Sequence, residues 1–236
     1  MNTEKQHILV TGAGGWLGRH VVRDLLAQGH HVAAACLDQK AEEGLRSWIK
    51  IPAPLLKTGN CQLSQEDSVQ KMLDTFQKER PISGLIHAAG SFHYAQVEDT
   101  ALDHFDSLLD SNLRSSWILA KSLVPQMKKN QNGHMIFISS RSTQGFGEKG
   151  MSLYLASKAA LNLFAQSLAQ ELKEDGVSIN VVMPSVIDGP ANRDAMPGAD
   201  FTRWVNVELL SSFLVSLLGP LGSQLHGSLI PFASRV

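Results

Sequence analysis

A tyrosine and a lysine four residues apart are the pair of side chains in this sequence that most directly suggests catalysis. Tyr154 and Lys158 lie near the start of a helix predicted over residues 153–173, and this spacing places both side chains on one helix face. A phenol with a pKa of about 10 exchanges protons poorly at neutral pH, but a neighbouring cation stabilises the phenolate and lowers that pKa. The pair therefore predicts a general acid at Tyr154, the alternative being two residues that share an exposed face by chance.

A serine follows the strand that precedes this helix. Residues 135–139 are predicted to form a buried strand, and Ser140 comes directly after it, fourteen residues before Tyr154. In an open α/β sheet the ligands bind at the carboxyl ends of the strands, so the Ser140 hydroxyl should reach the same site as the tyrosine. Ser142 is a competing candidate for this position.

A glycine-rich turn connects the first predicted strand to the first predicted helix. Residues 11–18 read Thr-Gly-Ala-Gly-Gly-Trp-Leu-Gly. Gly12 suits a tight turn, Gly15 permits close approach of a pyrophosphate, and Gly18 permits close packing of the helix on the sheet. The free N–H groups of the helix N-terminus would hold the phosphates without a lysine. An ordinary turn without a ligand is the alternative, but the position in the first βα unit favours a dinucleotide site.

The residue that would select the cofactor, at the end of the second predicted strand, is ambiguous. Cys36 and Leu37 occupy the positions of a ribose-binding carboxylate or a phosphate-binding arginine, and Asp38 follows slightly late. Asp38 would bind a ribose 2′-hydroxyl and repel a 2′-phosphate, whereas Lys40 would act in the opposite direction. The choice between NAD and NADP stays open, as does the alternative that Asp38 is a solvated loop residue.

Strand and helix patterns alternate along the chain, which is typical of a parallel sheet covered by helices on both faces. Apolar runs predict strands at residues 8–11, 31–36, 54–57, 82–88, 135–139, 177–183 and 227–230. Apolar residues at helical spacing predict helices at 16–28, 42–49, 102–129, 153–173 and 209–218, and a further helix whose apolar stripe spans 69–76. The length of 236 residues predicts one α/β domain over residues 1–236, with a substrate loop at about 184–204.

Composition argues against several other classes of function. Lys and Arg total 21 and Asp and Glu total 22, so a formal net charge of −1 leaves no basic field for nucleic acid or an anionic membrane. Two cysteines without a CxxC motif, and no clustered histidines, predict neither a metal site nor a disulfide framework. The start of the sequence has no signal-peptide pattern, which predicts a cytoplasmic protein. The uncharged stretch between Glu208 and Arg235 is interrupted by Gly and Ser, so it predicts a buried helix and strand rather than a membrane span.

Several motifs, in this order, resemble the short-chain dehydrogenase/reductase family over nearly the whole chain. They are the glycine turn at 11–18, His-Ala-Ala-Gly at 87–90, Asn112, Ser140, the pair Tyr154 and Lys158, and Asn-Val-Val-Met-Pro at 180–184. The resemblance implies a Rossmann-type doubly wound sheet of seven parallel strands in the order 3-2-1-4-5-6-7, with helices on both faces. It also implies an NAD(P)-dependent oxidoreductase that transfers hydride between nicotinamide and a carbonyl or alcohol substrate.

The resemblance further implies residue roles. Tyr154 would protonate the substrate carbonyl oxygen, Ser140 would hydrogen-bond that oxygen, and Lys158 would bind the nicotinamide ribose and lower the pKa of Tyr154. Asn112 would support a water-mediated proton path to Lys158. The remaining implied cofactor contacts are Gly12, Gly14, Gly15, Trp16, Leu17, Gly18, Asp38, Asn60, Cys61, Ala88, Ala89, Gly90, Pro184, Ser185, Val186 and Ile187. The substrate would meet the variable segments after the fourth and fifth strands, at Phe92, Ser142 and Phe146, beside Ser140 and Tyr154.

The sequence departs from the usual family pattern in ways that leave alternatives open. The common single-domain pattern has glycine where this chain has Trp16, and Ser185 follows Pro184 in place of glycine. Residues 190–201 resemble the corresponding part of dihydropteridine reductases, so reduction of a pteridine is one alternative function. Reduction of a 3-oxoacyl thioester and non-catalytic binding of a dinucleotide are the others. The family also implies a homodimer or homotetramer, formed through the helix predicted at 153–173 and the uncharged C-terminal segment.

Overall fold

The computed structural model describes residues 5–50 and 54–234, and within these ranges seven parallel strands form one sheet. Their spatial order is β3-β2-β1-β4-β5-β6-β7. The strands are β1 (His7–Thr11), β2 (His31–Cys36), β3 (Leu56–Asn60), β4 (Gly84–His87), β5 (Gly133–Ile138), β6 (Val177–Pro184) and β7 (Leu229–Phe232). The predicted Rossmann-type strand order is therefore confirmed. After β3 at one edge, the chain crosses to β4 beside β1 and then adds strands outward to β7 at the other edge.

Helices cover both faces of this sheet. They are α1 (Trp16–Ala27), α2 (Gln39–Trp48), α3 (Glu66–Phe76), α4 (Leu102–Leu109), α5 (Ser115–Asn130), α6 (Ser152–Glu171), α7 (Pro190–Ala195), α8 (Val207–Ser216) and α9 (Pro220–Gln224). Helices α3, α5 and α6 share one apolar core with Leu9 of β1. Helices α1, α2 and α8 share the other core with Ile8 and Val10. Successive residues of β1 thus enter opposite apolar layers, which explains why the strand reads as one continuous apolar run.

The long helix predicted at 102–129 is interrupted. After α4 ends, residues Asp110–Arg114 form a π-helical segment, and α5 then begins at Ser115. The residues at both ends of this segment keep ordinary right-handed helical dihedral angles, so the chain continues from α4 into α5 without leaving the helical conformation. Helix α5 continues through Pro125 to Asn130.

Boundaries near the ends of the sheet also differ from the prediction. Strand β3 runs from Leu56 to Asn60 because it pairs with β2 up to the Cys36–Asn60 pair, whereas the predicted strand, 54–57, ended at Lys57. The predicted last strand, 227–230, is shifted to Leu229–Phe232, where it pairs with the end of β6. Helix α2 begins earlier than predicted because the Asp38 carboxylate caps it.

The uncharged stretch after Glu208 forms α8, α9 and β7. Leu210 and Leu214 of α8 lie fully in the core, as the prediction of a buried helix requires. Across the described ranges, no helix combines the length and the apolar character that a membrane crossing needs.

Candidate active site

The candidate site lies at the edge of the sheet where the strands end and their connecting segments begin. The glycine turn follows β1, Gly90 follows β4, Ser140 follows β5, and Ser185 lies directly after β6. Tyr154 and Lys158 are in the first two turns of α6. The topology therefore brings most of the predicted site residues to one edge of the sheet.

Tyr154 lies between an aromatic ring and a hydroxyl. The Phe92 ring packs edge-on against it, with ring centroids 4.9 Å apart and an interplanar angle of 77°. Burial raises the pKa of the Tyr154 phenol above its usual value, while a hydrogen bond with the Ser140 side chain acts in the opposite direction. At neutral pH this environment favours the neutral phenol, which is the proton-donating form.

Lys158 is buried, with 6% of its surface exposed. Its Nζ donates a hydrogen bond to the Ile138 carbonyl at 2.9 Å and lies 6.0 Å from the centroid of the Tyr154 ring. Burial lowers the pKa of Lys158 to about 8, so the ammonium form still predominates at neutral pH. Burial and Ser140 account for the shift of the Tyr154 pKa, and the expectation that Lys158 lowers this pKa stays a prediction.

Asn112 occupies the middle of the π-helical segment and is 1% exposed. Its Oδ1 accepts a hydrogen bond from the Ser91 N–H at 3.0 Å, and its Nδ2 donates to the Ser91 carbonyl at 3.1 Å. Nδ2 also donates to the Ser157 hydroxyl at 3.0 Å. Asn112 thus joins the loop after β4 to α6 one residue before Lys158, and it is fully buried rather than on an exposed helix face.

Gly90 lies between these two side chains. A Cβ at this position would be 2.7 Å from Asn112 Oδ1 and 3.1 Å from Lys158 Nζ. Contacts that short force a neighbour to move, so glycine allows Asn112 and Lys158 to approach the backbone of this loop. The two predicted positions therefore form one packed unit with Gly90.

His87 is a site residue whose role the sequence did not reveal, although it begins the His-Ala-Ala-Gly motif at 87–90. The Ser115 hydroxyl donates to the Ser111 carbonyl at 2.7 Å, so its oxygen is free to accept from His87 Nε2 at 3.0 Å. Nδ1 then accepts from the Thr11 hydroxyl at 2.6 Å. Burial, with a smaller effect of Lys158, lowers the pKa of His87 to about 3, so the ring is neutral and connects the ends of β1 and β4.

Ser140 is held by a second group of residues that sequence motifs did not indicate. The Thr143 hydroxyl donates to the Ser140 carbonyl at 2.7 Å, and Asn162 Nδ2 donates to the Thr143 hydroxyl at 2.9 Å. Asn162 lies four residues after Lys158 and therefore faces the same way on α6. The available signal was that Asn162 continues the spacing of four from Tyr154 and Lys158.

The glycine turn forms a cradle that side chains would fill. Gly12 has a φ of +65°, and a Cβ there would be 2.7 Å from the Ala89 nitrogen. A Cβ on Gly18 would be 2.1 Å from the Gly12 carbonyl oxygen. Gly15 caps α1 without any side-chain hydrogen bond to the first N–H groups. The residues present therefore fit a dinucleotide, whose phosphates would accept from these N–H groups.

The expected adenosine side of the cradle lies after β2 and β3. The exposed Asp38 carboxylate accepts a hydrogen bond from the Ala41 N–H at 2.8 Å as it caps α2. A Cβ on Gly14 would be 2.8 Å from the Ala41 side chain, so the turn after β1 packs closely on this cap. Asn60 is exposed at the end of β3, and the adjacent Cys61 is buried with its N–H bonded to the Cys36 carbonyl at 3.0 Å.

The predicted substrate residues occupy different environments. Phe92 is 59% exposed and touches Tyr154, whereas Phe146 is fully exposed on the loop after β5. The Ser142 N–H donates to the Ser140 hydroxyl oxygen at 3.4 Å. Of the two competing serines, Ser140 is the one that acts on the pKa of the Tyr154 phenol.

The predicted substrate loop, residues 184–204, contains α7 and a 3₁₀ turn at Phe201–Arg203. We refer to it as the 184–204 segment. The Val205 N–H donates to the Val186 carbonyl and the Asp188 N–H donates to the Val205 carbonyl, each at 2.8 Å, which fixes the base of the segment beside Ile187. The Ser185 hydroxyl is buried without a hydrogen-bond partner among the described residues, so a polar ligand group beside it would find a free donor.

In the described part of the chain, no three or more His, Cys, Asp or Glu side chains come together in a way that could hold a metal ion.

Comparisons with known proteins agree with this geometry. The sequence model of a family described as short chain dehydrogenase matches residues 6–200. A tropinone reductase homolog from Arabidopsis thaliana is 30% identical over 185 residues, which cover 77% of this chain and 68% of the relative. An NAD+-bound xylitol dehydrogenase superposes with a TM-score of 0.87 at 20% identity, over 99% of this chain and 100% of the other. An actinorhodin polyketide ketoreductase with NADPH superposes with a TM-score of 0.89 at 17% identity, over 99% and 98% of the two chains.

Proposed function

The chain belongs to the short-chain dehydrogenase family of NAD(P)-dependent oxidoreductases, and we propose that it interconverts a carbonyl compound and an alcohol with Tyr154 as the general acid–base. One observation carries this proposal most directly. Tyr154 shares a helix face with the buried Lys158, Ser140 lies close enough to act on the pKa of the Tyr154 phenol, and Lys158 and Asn112 meet at Gly90. A protein that only bound a dinucleotide would have no use for this group of residues.

In the reducing direction, a nicotinamide dinucleotide held by the glycine turn and Lys158 would supply the hydride that the carbonyl carbon receives. Tyr154 donates its phenolic proton to the carbonyl oxygen, so that hydride and proton together give the alcohol. Ser140 donates a hydrogen bond to that same oxygen and stabilises the negative charge that develops on it. The raised pKa of the Tyr154 phenol keeps its proton in place at neutral pH, which suits the reducing direction.

Lys158 and Asn112 support this proton transfer. The Lys158 ammonium stabilises the phenolate that Tyr154 becomes after donating its proton, and it is placed to bind the cofactor ribose. Asn112 holds the loop after β4 through both ends of its amide. It therefore sets the position of Gly90 against Lys158. The proton that restores the Tyr154 phenol would pass along the buried polar groups of Lys158 and Asn112.

The proposal extends to assembly and location. The outward face of α6 carries Leu163, which is 67% exposed, and the C-terminal region carries the exposed Leu209 and Leu221. Apolar side chains at such positions support a homodimer or homotetramer, to be tested by light scattering at micromolar concentration. We also propose a cytoplasmic location.

The substrate is tested with a panel. The Phe92 ring is exposed and packs against Tyr154, so it supports a substrate with a planar or apolar portion. The panel therefore includes simple ketones and aldehydes, 3-oxoacyl thioesters and quinonoid dihydropteridines, with NADH and NADPH each titrated first. Rapid turnover of the dihydropteridine alone would favour the pteridine alternative.

A matched variant separates catalysis from binding. Tyr154→Phe keeps the ring against Phe92 and removes the proton donor, so turnover should fall by about 10³-fold or more while cofactor binding stays within about twofold. If the wild type binds NADH or NADPH but oxidises neither with any member of the panel, the catalytic proposal fails. The non-catalytic dinucleotide-binding alternative then gains support.

A further inference from the structure

Trp16 departs from the usual family pattern, and its side chain contacts the 184–204 segment. We propose that Trp16 is a positioning residue that holds this segment over the cofactor-phosphate site and so slows release of the dinucleotide. This inference rests on the proposed function, because it assumes that a dinucleotide lies against the N-terminus of α1. Trp16 occupies the position where the common family pattern has a glycine.

A hydrogen bond joins Trp16 to the segment. The indole Nε1 donates to the Asp188 carbonyl at 2.8 Å. Trp16 is the first residue of α1, directly after the uncapped N-terminus at Gly15, and Asp188 lies four residues after the end of β6. The bond therefore joins the glycine turn to the segment that follows β6.

The indole ring also packs directly on the backbone of the segment. A Cβ on Gly189 would be 2.5 Å from Trp16 Cδ1, and the three nearest atoms to that Cβ all belong to the Trp16 ring. Gly189 has a φ of −172°, an extended conformation that alanine adopts equally well. Glycine is needed at this position because of the tryptophan and not because of the backbone.

The ring is held in place from its own side. Arg19 NH2 donates to the Gly14 carbonyl at 2.7 Å, and its guanidinium carbon lies 5.9 Å from the centroid of the Trp16 ring. The His20 ring packs edge-on against Trp16 with centroids 4.6 Å apart. Trp16 is thus a preorganised partner for the segment rather than a free surface side chain.

The segment is cross-linked within itself, so one contact acts on several residues. The Arg193 guanidinium bonds to both oxygens of Asp188, at 2.6 and 2.8 Å. Asn192 Nδ2 donates to the Ile187 carbonyl at 2.8 Å. A bond to the Asp188 carbonyl therefore restrains α7 as well as the chain that leads into it.

A cavity of about 140 Å³ lies beside this contact. Its walls combine the start of α1 with the segment, and they are Trp16, Leu17, Ile187, Gly189, Ala191 and Asn192. The contact thus leaves space beside the N-terminal turn of α1, where phosphate groups would accept from free N–H groups. A closed segment over this space slows escape of a bound dinucleotide without touching the proton-transfer residues.

A pair of substitutions tests the contact from its two sides. Trp16→Phe removes the N–H donor, so the dissociation constant for the preferred cofactor should rise about three- to tenfold through faster dissociation. Gly189→Ala pushes the segment away from the ring and should weaken binding at least as much. In a Trp16→Gly background the added methyl group has room, so Gly189→Ala should then have less than a twofold effect.

A second readout does not depend on the cofactor. Hydrogen exchange of the free protein should be faster at residues 186–196 in Trp16→Phe and unchanged in β1 and α1. The matched controls are Gly198→Ala, in the same segment with no atom within 4 Å of the added carbon, and Trp117→Phe, an exposed tryptophan on α5. Both controls should behave as the wild type does.

Three results would overturn the inference. Faster association and tighter binding in Trp16→Phe would mean that the contact obstructs the cofactor. Additive effects of the Trp16→Gly and Gly189→Ala substitutions, or unchanged exchange at 186–196, would mean that the contact does not hold the segment. If the wild type binds neither NADH nor NADPH, the proposed function fails first and the retention role fails with it, while exchange still reports the contact itself.

Discussion

The candidate site is a cleft between the proton-transfer residues on one side and the 184–204 segment with Trp16 on the other, and different contacts hold the two sides in place. On one side, Asn112 and Lys158 are almost completely buried and bond to the backbone of neighbouring elements. On the other side, the 184–204 segment is held by an ion pair between partly exposed side chains, Asp188 and Arg193, and by Trp16, which is 37% exposed. The proton-transfer geometry is therefore part of the core, whereas the cover of the cofactor site depends on surface contacts that can break without global unfolding.

This difference also separates two uses of burial. A buried polar residue has to be fully bonded or it destabilises the fold, and Asn112 meets this requirement. Lys158 meets it only in part, because one carbonyl accepts from an ammonium group that has three donors. The catalytic side thus carries the cost of a buried ammonium group, whereas in the 184–204 segment the buried unpaired group is the neutral Ser185 hydroxyl.

The largest effect is expected at Lys158. Lys158→Met should reduce turnover by about 10³-fold or more, because no cation then stabilises the Tyr154 phenolate. At pH 7 the free energy of unfolding should stay within about 1 kcal/mol of the wild type or increase. Steady-state turnover and urea unfolding at pH 7 measure the two quantities.

The stability part of this prediction follows from the pKa of Lys158. Burial lowers it from 10.5 to about 8, so the folded state disfavours the charged form relative to the unfolded chain. Stability from this group is therefore present above pH 10.5 and lost as the pH falls through about 8. At pH 7 the methionine removes that cost and gives up the bond to the Ile138 carbonyl. A loss of several kcal/mol would show that Lys158 is chiefly structural.

Two glycine substitutions compare the sides of the cleft directly. Gly90→Ala places a methyl group 2.7 Å from Asn112 Oδ1, so kcat should fall by about 10²-fold and the free energy of unfolding by about 1–3 kcal/mol. Gly198→Ala, in open space on the 184–204 segment, should change neither quantity. Turnover assays and urea titrations provide the comparison. Equal sensitivity of the two positions would contradict the proposed difference between the two sides.

His87 gives the catalytic side a pH dependence of stability. Its folded-state pKa of about 3 lies below the ordinary value of 6.5, so between these values the unfolded chain binds a proton that the folded protein excludes. Stability is complete above pH 6.5 and declines as the pH falls toward about 3. Relative to His87→Asn, the wild type should lose about 2 kcal/mol more between pH 7 and pH 5.

Urea unfolding at both pH values checks this result. All other titratable groups are the same in the two proteins, so the difference between their losses of stability reports the titration of His87. Parallel loss of stability in wild type and His87→Asn would mean that the ring is protonated in the folded state.

The sequence was sufficient for the order of elements and for the acid–base pair. Alternating apolar runs predict a parallel sheet because each strand is covered on both faces, and a spacing of four places Tyr154 and Lys158 on one helix face. The π-helical segment around Asn112 was not predictable, because five residues are too few for the apolar spacing to distinguish a π-helical turn from an ordinary helix. The family motif pointed to Asn112 without showing how the backbone turns it inward.

Contacts between distant segments were beyond the reach of sequence patterns. The bond from Trp16 to the Asp188 carbonyl joins residues 172 positions apart, and periodicity reports only which face of one element is apolar. The effect of burial on Tyr154 was missed for a similar reason. The spacing to Lys158 was visible, but the carbonyl of Ile138 that holds the ammonium group belongs to another element.

The smallest effect is expected at Arg193, on the surface side of the cleft. Arg193→Gln breaks the ion pair with Asp188 while leaving the core intact, so the unfolding midpoint in urea should not change measurably. The loosened segment should raise the cofactor dissociation constant about twofold at low salt, and about 1 M salt should remove the difference because it screens the pair in the wild type. Lys128→Gln, which breaks a surface pair with Asp175 away from the cleft, should leave cofactor binding unchanged. A destabilisation by Arg193→Gln as large as that by Gly90→Ala would mean that the segment is as much a part of the core as the catalytic side.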